Sequence, residues 1–238
     1  MTIKDHTAVI TGATGGLGSV LARDLAALGI DLVLLDRETV KLEALAGELK
    51  LPDSHIFTRT VDLLDSAAVK AVAGEAAERF THLDILLHVV GGWTGGKTLL
   101  DLPHSDLEFM LNQHVWTSFN VVQAFVPYLV QHGWGRIVMI TSPFAARPSA
   151  RGGPYSIGKA GQESLMLTLS RELQGTGVTA NLLQAKTIDV KREKLAAPTP
   201  ENASWTTPEE LSAAVQYLIS DEAGTLNGAR LPMFGGSN

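Results

Sequence analysis

The strongest constraint on the fold is the regular alternation of short apolar runs with longer helical patterns along the 238 residues. Runs of strand length lie at 7–10, 30–35, 55–61, 84–92, 135–142, 178–184 and 231–234. Helical patterns lie between them at 18–28, 39–49, 66–80, 105–131, 154–174 and from 208 onward. Parallel strands need such crossover helices, and strands covered on both faces are continuously apolar. The pattern predicts an α/β fold: one doubly wound, Rossmann-like domain over 1–238, with a seven-stranded, mostly parallel sheet and helices on both faces.

Three helix starts carry local signals. Asp65 is placed to cap the helix at 66–80, and Ser105-x-x-Glu108 has the spacing of a capping box that opens the helix at 105–131. Thr207-Pro208-Glu209-Glu210 combines a capping residue, a proline at the first helical position and a capping-box glutamate. The segment 186–206 reads as a polar, proline-containing loop.

Composition excludes several function classes. A net charge of −6 gives no electrostatic footprint for nucleic acid or an anionic membrane. With 0 Cys, the chain offers no disulfide, thiol nucleophile or cysteine-ligated metal, and we expect no metal site. No apolar run approaches the 18 residues of a membrane span, and the N-terminal segment 1–6 runs into the first strand without a signal-peptide pattern. We therefore expect a soluble, cytoplasmic protein.

A glycine-rich turn follows the first strand. Gly12, Gly16 and Gly18 have the spacing Gly-x-x-x-Gly-x-Gly, between a strand and a helix. In that context glycines allow the backbone to approach a pyrophosphate at the helix N-terminus. A plain turn would need only one or two glycines, so three favour a nucleotide.

The second strand closes on Asp36, which lies 20 residues beyond Gly16 (36 − 16 = 20). An acidic residue at this position would bind the adenosine ribose 2′-hydroxyl and repel a 2′-phosphate. Arg37 would soften that repulsion, and Asp36 would serve equally as a helix cap. The sequence favours NAD over NADP.

Tyr155 and Lys159 lie one turn apart on a helix, and Ser142 ends the fifth strand. A fixed ammonium near the phenol would lower its pKa, so that Tyr155 could donate and accept a proton. In parallel sheets, ligands bind beyond the carboxyl ends of the strands. Gly12, Asp36, Asp62, Gly91 and Ser142 all follow strands and would therefore line one crevice.

With these motifs in place, the whole chain resembles the short-chain dehydrogenase/reductase family in its compact, single-domain form. Thr11-Gly12-x-x-x-Gly16-x-Gly18 resembles the cofactor motif and Tyr155-x-x-x-Lys159 the catalytic motif, with Ser142 at the usual interval of 13 residues (155 − 142 = 13). The closing Gly235-Gly236 is also similar to the family.

The resemblance implies roles for these residues. Ser142 would hold the substrate oxygen, Tyr155 would exchange its proton, and Lys159 would contact the nicotinamide ribose and lower the pKa of Tyr155. The implied cofactor-binding set is Gly12, Thr14, Gly16, Leu17, Gly18, Asp36, Arg37, Asp62, Leu63, Val90, Gly91, Tyr155, Lys159 and Ile188. The resemblance also implies a homodimer or homotetramer.

The chain departs from the family pattern near the nicotinamide. The sheet-bracing Asn is replaced by Val89, the Pro-Gly pair by Ala185 and Lys186, and a cofactor-gripping Thr by Val190. The Asn that anchors a relay water falls on His114. His114 is a candidate fourth catalytic residue, with a structural role as the alternative.

The sequence therefore predicts an NAD(H)-dependent oxidoreductase that interconverts a secondary alcohol and a ketone of small size. The alternatives are an NADPH-dependent 3-oxoacyl-thioester reductase and a non-catalytic dinucleotide-binding sensor. Trp93, Phe144 and Trp205 suggest a partly aromatic substrate pocket.

Overall fold

Seven parallel strands form the centre of the molecule in the computed structural model, which describes residues 5–234. They are β1 (Thr7–Thr11), β2 (Asp31–Asp36), β3 (Ile56–Thr60), β4 (Ile85–His88), β5 (Gly135–Thr141), β6 (Val178–Gln184) and β7 (Arg230–Pro232). Their order in the sheet is β3-β2-β1-β4-β5-β6-β7, and every pairing is parallel. The chain reverses its direction of progress between β1 and β4, which creates a crevice at their carboxyl ends. The predicted doubly wound fold is confirmed.

The helices cover both faces of the sheet. They are α1 (Gly18–Ala27), α2 (Thr39–Leu49), α3 (Ser66–Arg79), α4 (His104–Leu111), α5 (Thr117–His132), α6 (Gly153–Glu172), α7 (Glu193–Ala196) and α8 (Pro208–Leu218). Two cores result. One lies between the sheet and α3, α5 and α6, around Phe125, and the other lies under α1, α2 and α8, around Leu21 and Leu25. Successive strand residues such as Val9 and Ile10 enter opposite cores, as the two-residue period of a strand requires.

Two of the three predicted helix starts are confirmed. The Asp65 carboxylate accepts hydrogen bonds from the backbone N–H groups of Ala67 and Ala68. At α8, Thr207 and Glu210 form the reciprocal capping box. The box predicted at Ser105 is wrong. The helix begins one residue earlier, after Pro103, so that Ser105 lies inside its first turn and caps nothing.

The single helix predicted over 105–131 is also wrong in one respect. A π-helical turn at Asn112–Trp116 separates α4 from α5. Wide turns of this kind insert an extra residue into the ladder and often occur at functional sites. The spacing of apolar residues does not reveal a single inserted residue, so the sequence pattern over 105–131 looks like one continuous helix. The turn changes which residues of this segment face the crevice.

The segment 186–206 is more ordered than a plain loop. It contains the short helix α7 and a parallel bridge between Ile188 and Thr206. The buried Asp189 carboxylate accepts the backbone N–H groups of Glu193 and Lys194, which explains the helix. The start of the chain before Asp5 and the Gly235-Gly236 pair lie outside the described residues. Within residues 5–234, no helix is long and apolar enough to cross a membrane.

Candidate active site

The glycine-rich turn joins β1 to α1 through a tightly folded backbone. Gly12 has a positive φ of 73°, and its N–H donates to the Leu35 carbonyl over 2.9 Å. A Cβ on Gly18 would overlap the Gly12 carbonyl oxygen, which explains the glycine there. No side chain caps the start of α1. An uncapped helix start beneath a glycine turn fits the pyrophosphate of a dinucleotide.

Asp36 lies beside this turn, and its carboxylate is held by local groups. One carboxylate oxygen accepts the Thr14 backbone N–H at 2.9 Å and the Thr14 hydroxyl at 2.8 Å. The other accepts the Arg37 backbone N–H at 2.7 Å. Asp62, two residues beyond the end of β3, accepts the Leu64 backbone N–H at 3.0 Å. Both carboxylates thus have defined orientations before any ligand is present.

We call the cavity around these groups the Asp36 end of the crevice. Its volume is about 300 Å³, and eight residues of the predicted cofactor set line it: Gly12, Thr14, Asp36, Arg37, Asp62, Leu63, Val90 and Gly91. Gly16, Leu17 and Gly18 do not line it. Leu17 is buried in the core, and Gly16 is covered by Val190, whose methyl groups lie where a Cβ on Gly16 would be. Gln113 and Thr117 line it without having been predicted.

A second cavity, of about 510 Å³, shares Val89, Val90 and Gly91 with the first, so the crevice is continuous. We call it the Tyr155 end. The predicted residues on it are His114, Tyr155, Lys159 and Ile188, together with the pocket aromatics Trp93 and Phe144. Trp205, also expected there, does not line it; its backbone N–H donates to the Asn202 carbonyl, and its own carbonyl accepts from Lys194.

The Ser142 side chain lies near the Tyr155 phenol at this end. Ser142 is fully buried directly after β5, and its hydroxyl accepts the Phe144 N–H at 3.3 Å. Burial raises the pKa of Tyr155 above its ordinary value, and the nearby Ser142 side chain acts in the opposite direction. The phenol is therefore protonated at neutral pH and is set to donate a proton.

The expectation that Lys159 lowers the pKa of Tyr155 is not met in this structure. The Lys159 ammonium donates instead to the Ile140 carbonyl at 2.8 Å and to the Gln162 side-chain oxygen at 2.9 Å. Burial lowers the pKa of Lys159 to about 7, although nearby Glu163 favours the charge. A half-neutral, internally bonded ammonium exerts little pull on a phenol.

Lys159 is tied to the π-helical turn by a chain of side chains. The Gln162 amide donates to the Ser118 hydroxyl at 3.0 Å, and that hydroxyl donates to the His114 carbonyl at 2.6 Å. Neither Gln162 nor Ser118 was predicted. Their i+3 and i+4 spacings from Lys159 and His114 were visible in the sequence, but the pairing between two helices was not.

His114 is buried with its ring edge toward Tyr155, at 5.5 Å between ring centroids. Its Nε2 lies 3.0 Å from the Gly92 carbonyl, which can only accept, so Nε2 carries the proton. Burial, and secondly the charge of Lys159, lower the pKa of His114 to about 3, so the ring is neutral. Nδ1 is then an acceptor, and it is buried without a hydrogen-bond partner among residues 5–234.

His88 was missed by the sequence argument. It ends β4 opposite Thr11, and its Nδ1 lies 2.7 Å from the Thr11 hydroxyl. Burial lowers the pKa of His88 to about 3. This contact joins β1 and β4 next to Val89, where the bracing Asn was absent, and the Val89 N–H itself reaches the Thr11 carbonyl. A polar residue ending an otherwise apolar strand was the available signal.

With this geometry known, comparisons with other proteins identify the family. The family model described as short chain dehydrogenase matches residues 6–199. The chain belongs to the short-chain dehydrogenase family. These enzymes are oxidoreductases that act on CH–OH and C=O groups and bind a nicotinamide dinucleotide, so the sensor alternative is not supported.

Individual relatives of this short-chain dehydrogenase are distant. It is 29% identical to an acetoacetyl-CoA reductase of Allochromatium vinosum, over 96% of this chain and 97% of that protein. It is 26% identical to a D-beta-hydroxybutyrate dehydrogenase of Rhizobium meliloti, over 97% of each. The crystal structure of a levodione reductase superposes with a TM-score of 0.85 at 25% identity, over 98% of this chain and 97% of the other.

Proposed function

We propose that this protein is an NAD(H)-dependent oxidoreductase that interconverts a secondary alcohol and a ketone, with Tyr155 as the general acid and base. One observation carries the proposal. Tyr155 and Lys159 line one end of a crevice, with the Ser142 side chain near the phenol, and Gly12 of the glycine turn and Asp36 line the other end. The proposed catalytic residues and the proposed dinucleotide-binding residues thus line one continuous crevice.

The proton is handled by this chain's own side chains. Ser142 orients the substrate oxygen, and the phenol of Tyr155, kept protonated by burial, donates to that oxygen during ketone reduction. A bound nicotinamide supplies or accepts the hydride. Lys159 donates to the Ile140 carbonyl and the Gln162 side-chain oxygen in this structure, and we propose that its ammonium contacts the nicotinamide ribose of the bound cofactor. We propose that His114 Nδ1, an unpartnered acceptor, anchors a relay water that returns the proton.

The remaining predicted residues are proposed to hold the cofactor. Asp36 is oriented by Thr14 to accept ribose hydroxyls, which supports NAD over NADP. Asp62 would meet the adenine, and Ile188 the carboxamide through its backbone. Gly16, Leu17 and Gly18 would act through the shape of the turn. Val190 stands where the family pattern has a Thr that grips the cofactor. It has no hydroxyl, and its methyl groups pack against Gly16.

The direct test is cofactor oxidation with a panel of small ketones. Purified protein is mixed with NADH or NADPH, and loss of the reduced-nicotinamide absorbance is followed. We expect turnover of at least one ketone and faster turnover with NADH. Absence of turnover across the panel with both cofactors, in protein that binds NADH, would contradict the proposal.

A second candidate is a 3-oxoacyl-thioester reductase that uses NADPH, because one relative is named an acetoacetyl-CoA reductase. Asp36 opposes it, since a 2′-phosphate would lie beside the carboxylate. Comparing acetoacetyl-CoA with small ketones, each with both cofactors, separates the two candidates. A strong preference for the thioester with NADPH would favour the second.

We also propose that the protein is a homodimer or homotetramer. Phe109, Trp116 and Phe119 lie on α4, the π-helical turn and α5, and each is 39–52% exposed. Trp116 and Phe119 contact each other edge to face at 6.1 Å. Such an aromatic face is suited to a second copy of the chain. Light scattering at micromolar concentration should give a multiple of 25.3 kDa, and the mass of a monomer would contradict this.

A further inference from the structure

The described residues that line the Tyr155 end of the crevice include cations and no acids, although the buried Glu163 lies near Lys159. Besides Lys159, its lining includes Lys186. An adjoining cavity shares Trp93, Phe144 and Tyr155 with it and adds Arg151. Among the described residues, neither lining contains Asp or Glu. In a chain with a net charge of −6, this local excess of positive charge is informative.

Lys186 is exposed to solvent and forms no ion pair within the part of the chain that the structure describes. Its ammonium lies 3.2 Å from the hydroxyl of the buried Ser204, and the part of the chain described here places no Asp or Glu within ion-pair distance of it. The hydroxyl can hold the ammonium in place, but it does not compensate the charge. At least two ammonium protons remain for another acceptor.

Other cations of the same segment are paired. Arg192 is bonded to Glu209, and Lys194 lies 2.9 Å from the Glu210 carboxylate. The Asp189 carboxylate, the nearest acid in sequence, is occupied by two backbone N–H groups. An uncompensated Lys186 is therefore a local exception, and it occurs where the segment meets the active site.

The backbone sets Lys186 beside the reacting groups. It lies two residues beyond the end of β6, and the N–H of the preceding Ala185 donates to the Thr141 carbonyl at 3.1 Å. Thr141 directly precedes Ser142. The ammonium therefore approaches the crevice from the same sheet edge as the Ser142–Tyr155 pair.

We propose that Lys186 binds an anionic group of the substrate, a carboxylate or a phosphate, a few bonds from the carbonyl that Tyr155 protonates, with Arg151 as a second cation at the rim. Ser204 positions the ammonium. The inference rests on the proposed function and adds the substrate class to it: oxo acids or oxo phosphates and the corresponding hydroxy compounds.

The test compares ketones that differ only in charge. Acetoacetate and the neutral acetoacetamide form one pair, and hydroxyacetone phosphate and hydroxyacetone form another, which separates carboxylate from phosphate. For the anion of the favoured pair, Lys186→Met should lower kcat/KM about tenfold to a hundredfold, because one charge-assisted contact is lost. For the neutral partner the change should stay within about threefold. Lys191→Met, at an exposed lysine of the same segment, is the matched control.

Calorimetric titration of acetoacetate or hydroxyacetone phosphate into the protein with saturating NAD⁺ measures the same contact without turnover. Lost anion affinity in Lys186→Met supports the inference even if no ketone is reduced, in which case only the proposed function fails. Reduction of neutral ketones with no preference for the anions overturns the inference and leaves the proposed function intact. Equal losses for anion and neutral partner, or a loss confined to NADH binding, would assign Lys186 to general structure or to the cofactor phosphates and also overturn it.

Discussion

The Asp36 end and the Tyr155 end of the crevice differ in how their polar groups are held. At the Asp36 end, Asp36 accepts hydrogen bonds from Thr14 of the glycine-rich turn and from the Arg37 N–H, and Asp62 accepts one from the Leu64 N–H. At the Tyr155 end, Lys159 is held by Ile140 and Gln162, and the connection to His114 runs between two helices through Ser118.

This difference has an electrostatic consequence. At the Asp36 end, Asp36 is half-buried and Asp62 is exposed, so both carboxylates lie near water. Lys159 and His114 are buried, and burial is the largest cause of the lowered pKa of each, to about 7 and about 3. Burial penalises the charged form, so chemistry at this end depends on the surrounding packing. Substitutions at the Asp36 end should therefore affect cofactor affinity. Substitutions at the Tyr155 end should affect turnover and its dependence on pH.

The largest effect should come from Tyr155→Phe. Removing the hydroxyl deletes the proton donor, and kcat should fall about a thousandfold, within the range of general acid catalysis. NADH affinity, set mainly at the Asp36 end, should change less than twofold, as measured by fluorescence titration. Tyr217→Phe, at a half-exposed tyrosine of α8, is the control. Substantial turnover in Tyr155→Phe would overturn the mechanism.

At the opposite end, Asp36→Ala should weaken NADH binding about tenfold, because bonds to a charged acceptor are lost. Binding of NADPH should improve as the repulsion of its 2′-phosphate disappears. The exposed acid Glu43 of α2 offers the control Glu43→Ala. If the parent protein binds both cofactors equally, Asp36 does not contact the ribose.

Lys159 should make stability depend on pH. Its pKa is about 7 in the folded protein and near 10.5 when unfolded, so between these values the unfolded chain binds the extra proton. Stability therefore rises with pH in that window, by about 2 kcal/mol between pH 7 and 9. The parent minus Lys159→Met difference in unfolding free energy, measured in urea, should grow accordingly. A difference that stays constant with pH, as expected for Lys191→Met, would contradict the lowered pKa of Lys159 in the folded protein.

The smallest effect concerns His114. Since its pKa is about 3, the parent pH–rate profile should show no inflection from this ring between pH 5 and 9. His114→Asn keeps an acceptor near the Nδ1 position and should retain activity within about threefold, whereas His114→Leu should lose about threefold to tenfold. The loss should appear in kcat rather than in NADH binding. Equal activity of the Leu variant at all pH values would make His114 purely structural.

The Asp36 end and the Tyr155 end of the crevice also differ in how much of each could be predicted from the sequence. The glycine turn, Asp36 and Asp62 are local motifs, and the structure places Asp36 and Asp62 on one cavity with Gly12 and Gly91. The partners of Lys159 were not predictable, because Gln162 and Ser118 meet across two helices. The sequence also could not predict that Lys159 leaves the pKa of Tyr155 unlowered, because this depends on the direction in which the ammonium points in the folded protein.

By itself, the sequence determined the doubly wound α/β class, the seven-stranded sheet with helices on both faces and the spacing of Ser142, Tyr155 and Lys159, because periodicity and turn chemistry act over a few residues. The capping box at Thr207 succeeded for that reason. Only the tertiary structure decided the π-helical turn at Asn112–Trp116, the His88–Thr11 contact and the uncompensated charge of Lys186. These depend on which distant groups share a buried space, and desolvation and ion pairing there are set by three-dimensional neighbours.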